Sequence, residues 1–452
     1  MSEKTRILWL SDCSVTNNSG FSKVSLELLK RLSKNSDFEI AELGINNKTG
    51  EGYKFDPTWK IYTSGNKQHC EDKFVPTVLD FKPHIVVSLL DIHMFAYIND
   101  LTQVPIDIRN SFKFIAHTPI DGAPLDTWAL NVAAGCNAIA CIHPFGYQTL
   151  NEGYARLIEG IKKDVTTLLR QKMSTTDEEE IKDIDELIEL KVLYANNYAR
   201  IMSNTTVINH GVDLDTYKPL DNKAELRSKY SIPENDFVFV YVGRNSPRKQ
   251  QPTLIQAFKE VNKKYRNSWL VLGCMVQDTG WNLLDVIDQV DAPADRIIFT
   301  NNSSAKADAG LTDEGINEVY NLGDCFVSTC FGGGFELGNL ESMAAGLPQI
   351  GVKGAGSIEL MTKDHGILVP AQKVYLGGQS GPFMRPIVTP HDFANAMKEM
   401  ISNKTKRDKY ATEAIKFANS KEFNWDFACS EFEKLIDRVL VEDSVVVEGV
   451  TC

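Results

Sequence analysis

Two short stretches gather the residue types that could do chemistry. The first, FGGGFELGNLESMAAG from Phe331 to Gly346, holds five glycines and two glutamates, Glu336 and Glu341, in sixteen residues. Consecutive glycines mark a backbone that bends unusually or approaches another group closely. Asn339 is placed to cap a short helix with Leu340 to Ala345 as its body and Gly346 as its stop. Glu341 would lie in the first turn. There it either offsets the helix dipole, which contributes about 0.3 to 1 kcal/mol, or holds a ligand over the glycines.

The second stretch, GRNSPRK from Gly243 to Lys249, sets Arg244 and Lys249 in a turn with Ser246 and Pro247 between a strand and a helix. Two cations near a helix N-terminus suit a diphosphate, where each charge-assisted hydrogen bond adds about 1.5 to 3 kcal/mol. A pair of solvated surface cations is the alternative. Arg248 is then the exposed member and Lys249 the inward one. His117 closes an apolar strand, as a ligand or as a hydrogen-bonded structural residue. Asp91 and Asp121 fall at or just beyond strand ends, where either could act as a base.

These residues need elements to hold them. A chain of 452 residues is too long for one ordinary core, and 43% hydrophobic with 24% charged residues is the balance of a globular protein. A net charge of -12 argues against a broad nucleic-acid face but allows a local basic pocket. No run of about 18 apolar residues occurs, and the N-terminal apolar stretch is too short for a secretory signal. Nine scattered cysteines without a Cys-x-x-Cys pair read as reduced thiols of a cytoplasmic protein.

Short apolar runs at 6–12, 84–91, 112–118, 138–142 and 205–209 read as buried parallel strands, and 21–34 as a helix. A second series follows at 237–243, 268–274, 296–300, 324–329, 348–352 and 366–370, with helices at 253–265 and 393–402. The fold class is α/β, with two doubly wound domains in tandem: residues 1–220 and 221–425, then a helix and tail at 426–452. Ligands of such sheets bind at the carboxyl ends of the strands, so two facing domains would form a deep cleft. Residues 151–204 read as a helical insertion, with Thr175 or Thr176 capping its second helix. Arg156, Lys162, Lys163 and Arg170 beside Leu157, Ile161, Val165 and Leu169 allow peripheral membrane contact, which the acidic second helix weakens.

The stretches GRNSPRKQQPTLIQAF, GFELGNLESMAAGLPQI, GILVP and FNWDF come in the order and at about the spacing of family 4 glycosyltransferases, which have the GT-B fold of two Rossmann-like domains. INHGVDLDTYKP resembles that family's linker and SGFSKVSLELLKRL its first glycine loop. The resemblance spans nearly the whole chain outside the insertion. It implies transfer of a sugar, with retention, from a nucleotide-sugar donor such as a UDP- or GDP-sugar, without a required cofactor or metal. It also implies that Arg244 and Lys249 bind the donor diphosphate. Gly333, Gly334, Phe335, Glu336 and Leu337 lie along the donor, Glu341 holds the ribose, Gly20 closes over the phosphates and His117 contacts the sugar. Asp213-x-Asp215, a metal pattern in a different glycosyltransferase fold, falls in the linker match.

One position departs from the family. Its first glutamate, eight residues before Glu341, is Gly333 here, and Glu336 is the acid near enough to reach the same space. The expected enzyme is a hexosyltransferase acting on a glycan, lipid or protein-linked hydroxyl, with Arg244, Lys249, His117 and Glu336 catalytic. A nucleotide-sugar-binding protein without catalysis, or a GT-B phosphorylase or epimerase, is the alternative.

Overall fold

The structure, a computed structural model of the chain, describes residues 3–16, 19–51, 53, 56–300, 311–354, 360–376 and 383–441. Asn17 and Asn18 of the first loop and the expected tail beyond Val441, with Cys452, lie outside the described residues. The chain divides into two compact units, one holding the residues up to Ile208 and those of the last helix from Cys429, the other Asn209 to Ala428. The division thus falls within the INHGVDL stretch, earlier than the expected border at 220.

The first unit contains β1 (Thr5–Asp12), β2 (Phe38–Ile45), β3 (Lys60–Tyr62), β4 (Ile85–Leu89), β5 (Lys113–Thr118), β6 (Ala138–Cys141) and β7 (Thr205–Val207). They form one parallel sheet in the order β3-β2-β1-β4-β5-β6-β7. Ile7 to Leu10 of β1 are fully buried, as a strand covered on both faces requires. The helix Gly20–Leu32 follows because the Ser19 hydroxyl accepts from the Ser22 amide at 3.1 Å while Val24, Leu28, Leu29 and Leu32 bury one face.

Strand β2 was absent from the sequence reading because Glu39 and Glu42 interrupt its apolar run. Glu42 is nevertheless fully buried. Its carboxylate accepts from the Ser14 amide and hydroxyl, both at 2.6 Å, and from Trp59 Nε1 at 2.9 Å. A buried acid satisfied in this way fixes the turn after β1 instead of expelling the strand.

The expected insertion is a hairpin of two long helices, Pro144–Ser174 and Glu178–Ser203, joined by ion pairs Lys172–Asp185 and Lys191–Asp164. Asp177, not Thr175 or Thr176, caps the second helix, accepting from the amides of Glu179 and Glu180. Among the described residues no helix is long and apolar enough to cross a membrane.

The second unit contains β8 (Phe237–Val242), β9 (Ser268–Gly273), β10 (Ile297–Phe299), β11 (Cys325–Val327), β12 (Gln349–Val352) and β13 (Gly366–Val369), parallel in the order β10-β9-β8-β11-β12-β13. An antiparallel pair, β14 (Gln372–Leu376) with β15 (Phe383–Ile387), was not expected. The last helix, Trp425–Val441, starts in this unit and ends in the first, where Phe432 meets the Trp9 ring at 5.9 Å.

Burial pushes the Glu42 carboxyl above its ordinary 4.5, against the pull of its hydrogen bonds. Its contribution to stability is therefore full below the unfolded value and is lost as pH rises through the higher folded value. Urea unfolding followed from about pH 4.5 upward should show this loss in the wild type and not in Glu42→Gln. An equal pH slope in both proteins would refute the assignment.

Candidate functional site

The second sheet reverses its order between β8 and β11, and a crevice at such a reversal is where open α/β sheets bind ligands. The loops leaving these two strands are the stretches singled out above. They are lashed together: Thr329 Oγ1 donates to the carbonyls of Lys249 and Gln250 at 3.0 and 2.9 Å, and the Phe331 amide donates to Arg248 O at 3.0 Å.

Glu336 closes the join. Its carboxylate pairs with Lys249 Nζ and, at 3.4 Å, with Arg248 Nη1, which also donates to Gly332 O at 2.7 Å. The Cys330 thiol adds a weak contact at 3.5 Å. Burial raises the Glu336 carboxyl, but the charges of Lys249 and Arg248 and the hydrogen bonds from Lys249 and Cys330 outweigh it and hold the group below its ordinary value. Lys249 is buried as expected, while the Arg248 side chain is half exposed. A Cβ at position 333 would overlap Glu336 Oε1. The carboxylate of Glu336 thus fills the space beside Gly333, and a side chain at 333 would have to displace it.

The helix begins earlier than its sequence indicated. It runs Leu337–Ala344 with Glu336 at the cap position, so Asn339 lies inside it and Glu341 stands beyond its first turn. Gly338 makes this start accessible, since a Cβ there would come within 3.2 Å of Val242 O and 3.3 Å of the Tyr320 hydroxyl. Gly346 ends the helix with φ +88°, as its expected role as a stop requires. Glu341 is buried and accepts from Tyr320 Oη at 2.9 Å. Phe335 packs between the rings of His210, at 4.9 Å, and Phe423, at 6.4 Å, so the linker histidine and the late aromatic motif hold it. Gly334 lies between these anchored neighbours in sequence.

Arg244 sits at the surface of the same crevice, its side chain 67% exposed, in a two-point pair with Asp278 at 2.9 Å through both Nε and Nη2. The loop bearing Asp278 is tied back by Asn245 Nδ2, which donates to Val276 O at 3.0 Å and Trp281 O at 2.6 Å. Three cations, Arg244, Arg248 and Lys249, thus face two carboxylates, Asp278 and Glu336. Glu341 adds a third carboxylate, and the start of the Leu337 helix sets a partial positive charge beside them.

The remaining expected residues lie in the first unit. Gly20 opens its helix beside Ser19, whose hydroxyl donates to Asp12 at the end of β1. That sheet reverses between β1 and β4, so Gly20 and Asp91, just past β4, belong to its own crevice. His117 does not. It is fully buried, with Nδ1 2.8 Å from Ala140 O and its ring edge against Phe432 at 4.9 Å, and burial lowers its pKa to about 4. Such burial and hydrogen bonding favour the structural residue of the alternative reading. Asp213 accepts from the Asp215 amide and the Thr216 hydroxyl and so stabilises a turn.

Sequence reasoning missed Asp278, Tyr320 and Arg385, the last set over the Phe331 ring at 6.0 Å. A depression of about 730 Å³ lined by Asp215, Lys218, Asp221, Glu314 and Glu318 contains none of the expected residues. Four carboxylates against one ammonium there would repel a diphosphate.

Residues 236–403 match the model of the family described as glycosyl transferases group 1. Among curated proteins the chain is similar to a D-inositol 3-phosphate glycosyltransferase of Kineococcus radiotolerans, 23% identical over 269 residues, covering 58% of this chain and 57% of the relative. The curated relatives it matches are covered over no more than 57% of their length. Among solved structures it resembles a sucrose-phosphate synthase of Thermosynechococcus elongatus, with a TM-score of 0.65, 14% identity, and 96% of this chain and 99% of the other covered. It also resembles the HepE protein of Anabaena in complex with UDP and glucose, with a TM-score of 0.61, 15% identity, and 96% and 100% covered. The fold is that of GT-B glycosyltransferases, two Rossmann-like α/β domains, and the residues that match the group 1 glycosyl transferase model lie in the second unit.

If Glu336 occupies the space beside Gly333, Gly333→Ala should destabilise the wild type by about 1 to 3 kcal/mol. In a Glu336→Ala background the same change should cost close to nothing. Urea denaturation of the four proteins measures this coupling, and an equal cost in both backgrounds would contradict it.

Proposed function

We propose that the chain is a retaining, metal-independent glycosyltransferase of family 4 type, moving a sugar from a UDP- or GDP-sugar to a hydroxyl acceptor. The observation that carries this reading is the gathering of Arg244, Arg248 and Lys249 at the start of the Leu337 helix, in the reversal crevice of a group 1 glycosyltransferase domain. The HepE protein, of the same fold, binds UDP and glucose, which supports a uridine donor.

In this reading the donor diphosphate lies against Arg244, Lys249 and the amides from Gly333 to Leu337, and its ribose against Glu341. The acceptor belongs to the first unit, where the loop at Gly20 flanks that sheet's crevice. The bond from the anomeric carbon to the phosphate oxygen breaks as the acceptor oxygen attacks from the same face. Negative charge grows on the leaving diphosphate, and the cations and helix amides stabilise it in place, the role a metal ion has elsewhere. The acceptor proton passes to the departing phosphate oxygen, so retention needs no carboxylate nucleophile. This suits a site whose nearest acid, Glu336, is held by Lys249. His117 has a structural role. The eight described cysteines are free and buried, which supports a reducing, cytosolic setting.

That same Lys249–Glu336 pair favours a second reading, a nucleotide-sugar-binding protein without turnover. The two are separated by incubating the protein with UDP- and GDP-sugars and glycan, lipid-linked and peptide acceptors. Release of nucleoside diphosphate is expected, with product anomers matching the donor, and Lys249→Ala should slow it about a hundredfold. Donor binding without release would establish the second reading. Release of sugar phosphate instead would point to a phosphorylase.

A further inference from the structure

Behind Glu341 lies a residue that none of the site motifs contains. Tyr320 is the eighth residue of the helix Asp313–Leu322, fully buried, with its ring against Phe326 at 6.0 Å and Tyr217 at 6.1 Å. Its hydroxyl donates to Glu341 Oε2 at 2.9 Å. The same hydroxyl is 3.3 Å from where a Cβ on Gly338 would stand, so the glycine lets the Leu337 helix settle onto it. Tyr217, from the linker, is anchored in turn by donating to Asp313 Oδ1 at 2.8 Å.

We infer that Tyr320 is a positioning residue that fixes the Glu341 carboxylate for recognition of a vicinal diol, and so makes the site select ribonucleotides over 2′-deoxyribonucleotides. This rests on the donor reading above. A carboxylate on a single flexible side chain can turn about its last bond and accept from one hydroxyl or two in many orientations. With Oε2 engaged by a buried phenol hydroxyl, fewer orientations of the carboxylate remain open. Two adjacent ribose hydroxyls can then be met without loss of side-chain freedom on binding. The phenol remains a donor throughout the working range, because burial, joined by the nearby charge of Glu341 and the hydrogen bond to it, raises its pKa far above the ordinary 10. The contribution of Tyr320 therefore acts only through a ligand that carries both hydroxyls. A ligand lacking the 2′-hydroxyl gains little from an oriented carboxylate, because it can use a single acceptor oxygen however the group turns.

The test is titration of the full chain with UDP, GDP and their 2′-deoxy counterparts, in the wild type, Tyr320→Phe, Glu341→Gln and the double variant. The wild type should prefer the ribo form. Tyr320→Phe should lose about tenfold of that preference by weakening ribo binding while deoxy binding stays the same. Glu341→Gln should also reduce the preference, and adding Tyr320→Phe to it should change the ratio less than it does in the wild type. Thermal melting checks that each variant is folded, and Glu341→Gln, which keeps an oxygen able to accept from Tyr320, covers the case in which the phenylalanine variant does not fold. An unchanged ratio in Tyr320→Phe, or equal weakening of both forms, overturns the inference and leaves donor binding standing. Equal affinity for the two forms in the wild type also overturns it. No binding of any nucleotide overturns the donor reading and the inference together.

Discussion

The buried carboxylate of Glu336 joins the two loops on which the site is built. Taken out of water without partners, such a charge would be strongly unfavourable, so the chain around it is arranged to supply them: Lys249 and Arg248 from the loop after β8, and the Cys330 thiol from the loop after β11. Once that pair forms, much else is decided. A side chain at 333 would compete with that carboxylate for space, the helix starts next to it at Leu337, and Phe335 packs between His210 and Phe423. Amides and cations held this way need no rearrangement when negative charge develops on a bound ligand, which is how a fixed polar site lowers a barrier.

The molecule as a whole carries a charge of -12, yet this crevice gathers three cations, Arg244, Arg248 and Lys249, beside a helix start. The two acids that balance its cations act differently. Glu336 is buried and structural to the loop, whereas Asp278 meets an exposed Arg244 on the crevice surface. A phosphate group could present the Arg244 guanidinium with the same two-point geometry that Asp278 now offers. An acidic exterior with cations gathered at one crevice favours a small anionic ligand over an extended polyanion.

Much of the fold could be read from the sequence because parallel strands are covered on both faces and must be continuous apolar runs, as Ile7 to Leu10 and Phe237 to Val242 are. Strand β2 escaped that rule through Glu42, whose partners Ser14 and Trp59 come from other segments. The start of the Leu337 helix escaped it too, because Gly338 is a poor helix former whose value lies in its contact with Val242 and Tyr320. Arg244, Lys249 and Glu341 could be singled out as candidates because turn and glycine signals lie beside them in sequence. Asp278, Tyr320 and Arg385 were not, since each acts through a partner brought close only by the sheet. His117 had the right neighbours in sequence and lies in the core, because the end of a buried strand is also an ordinary place for a hydrogen-bonded imidazole.

The most direct measurement is a crystal structure of the full chain grown with UDP or GDP. The account predicts the diphosphate within hydrogen-bonding reach of Arg244, Lys249 and the amides at the start of the Leu337 helix, with the ribose hydroxyls on Glu341. A nucleotide bound elsewhere, whether in the acidic depression near Asp215 or on the first sheet, would contradict it.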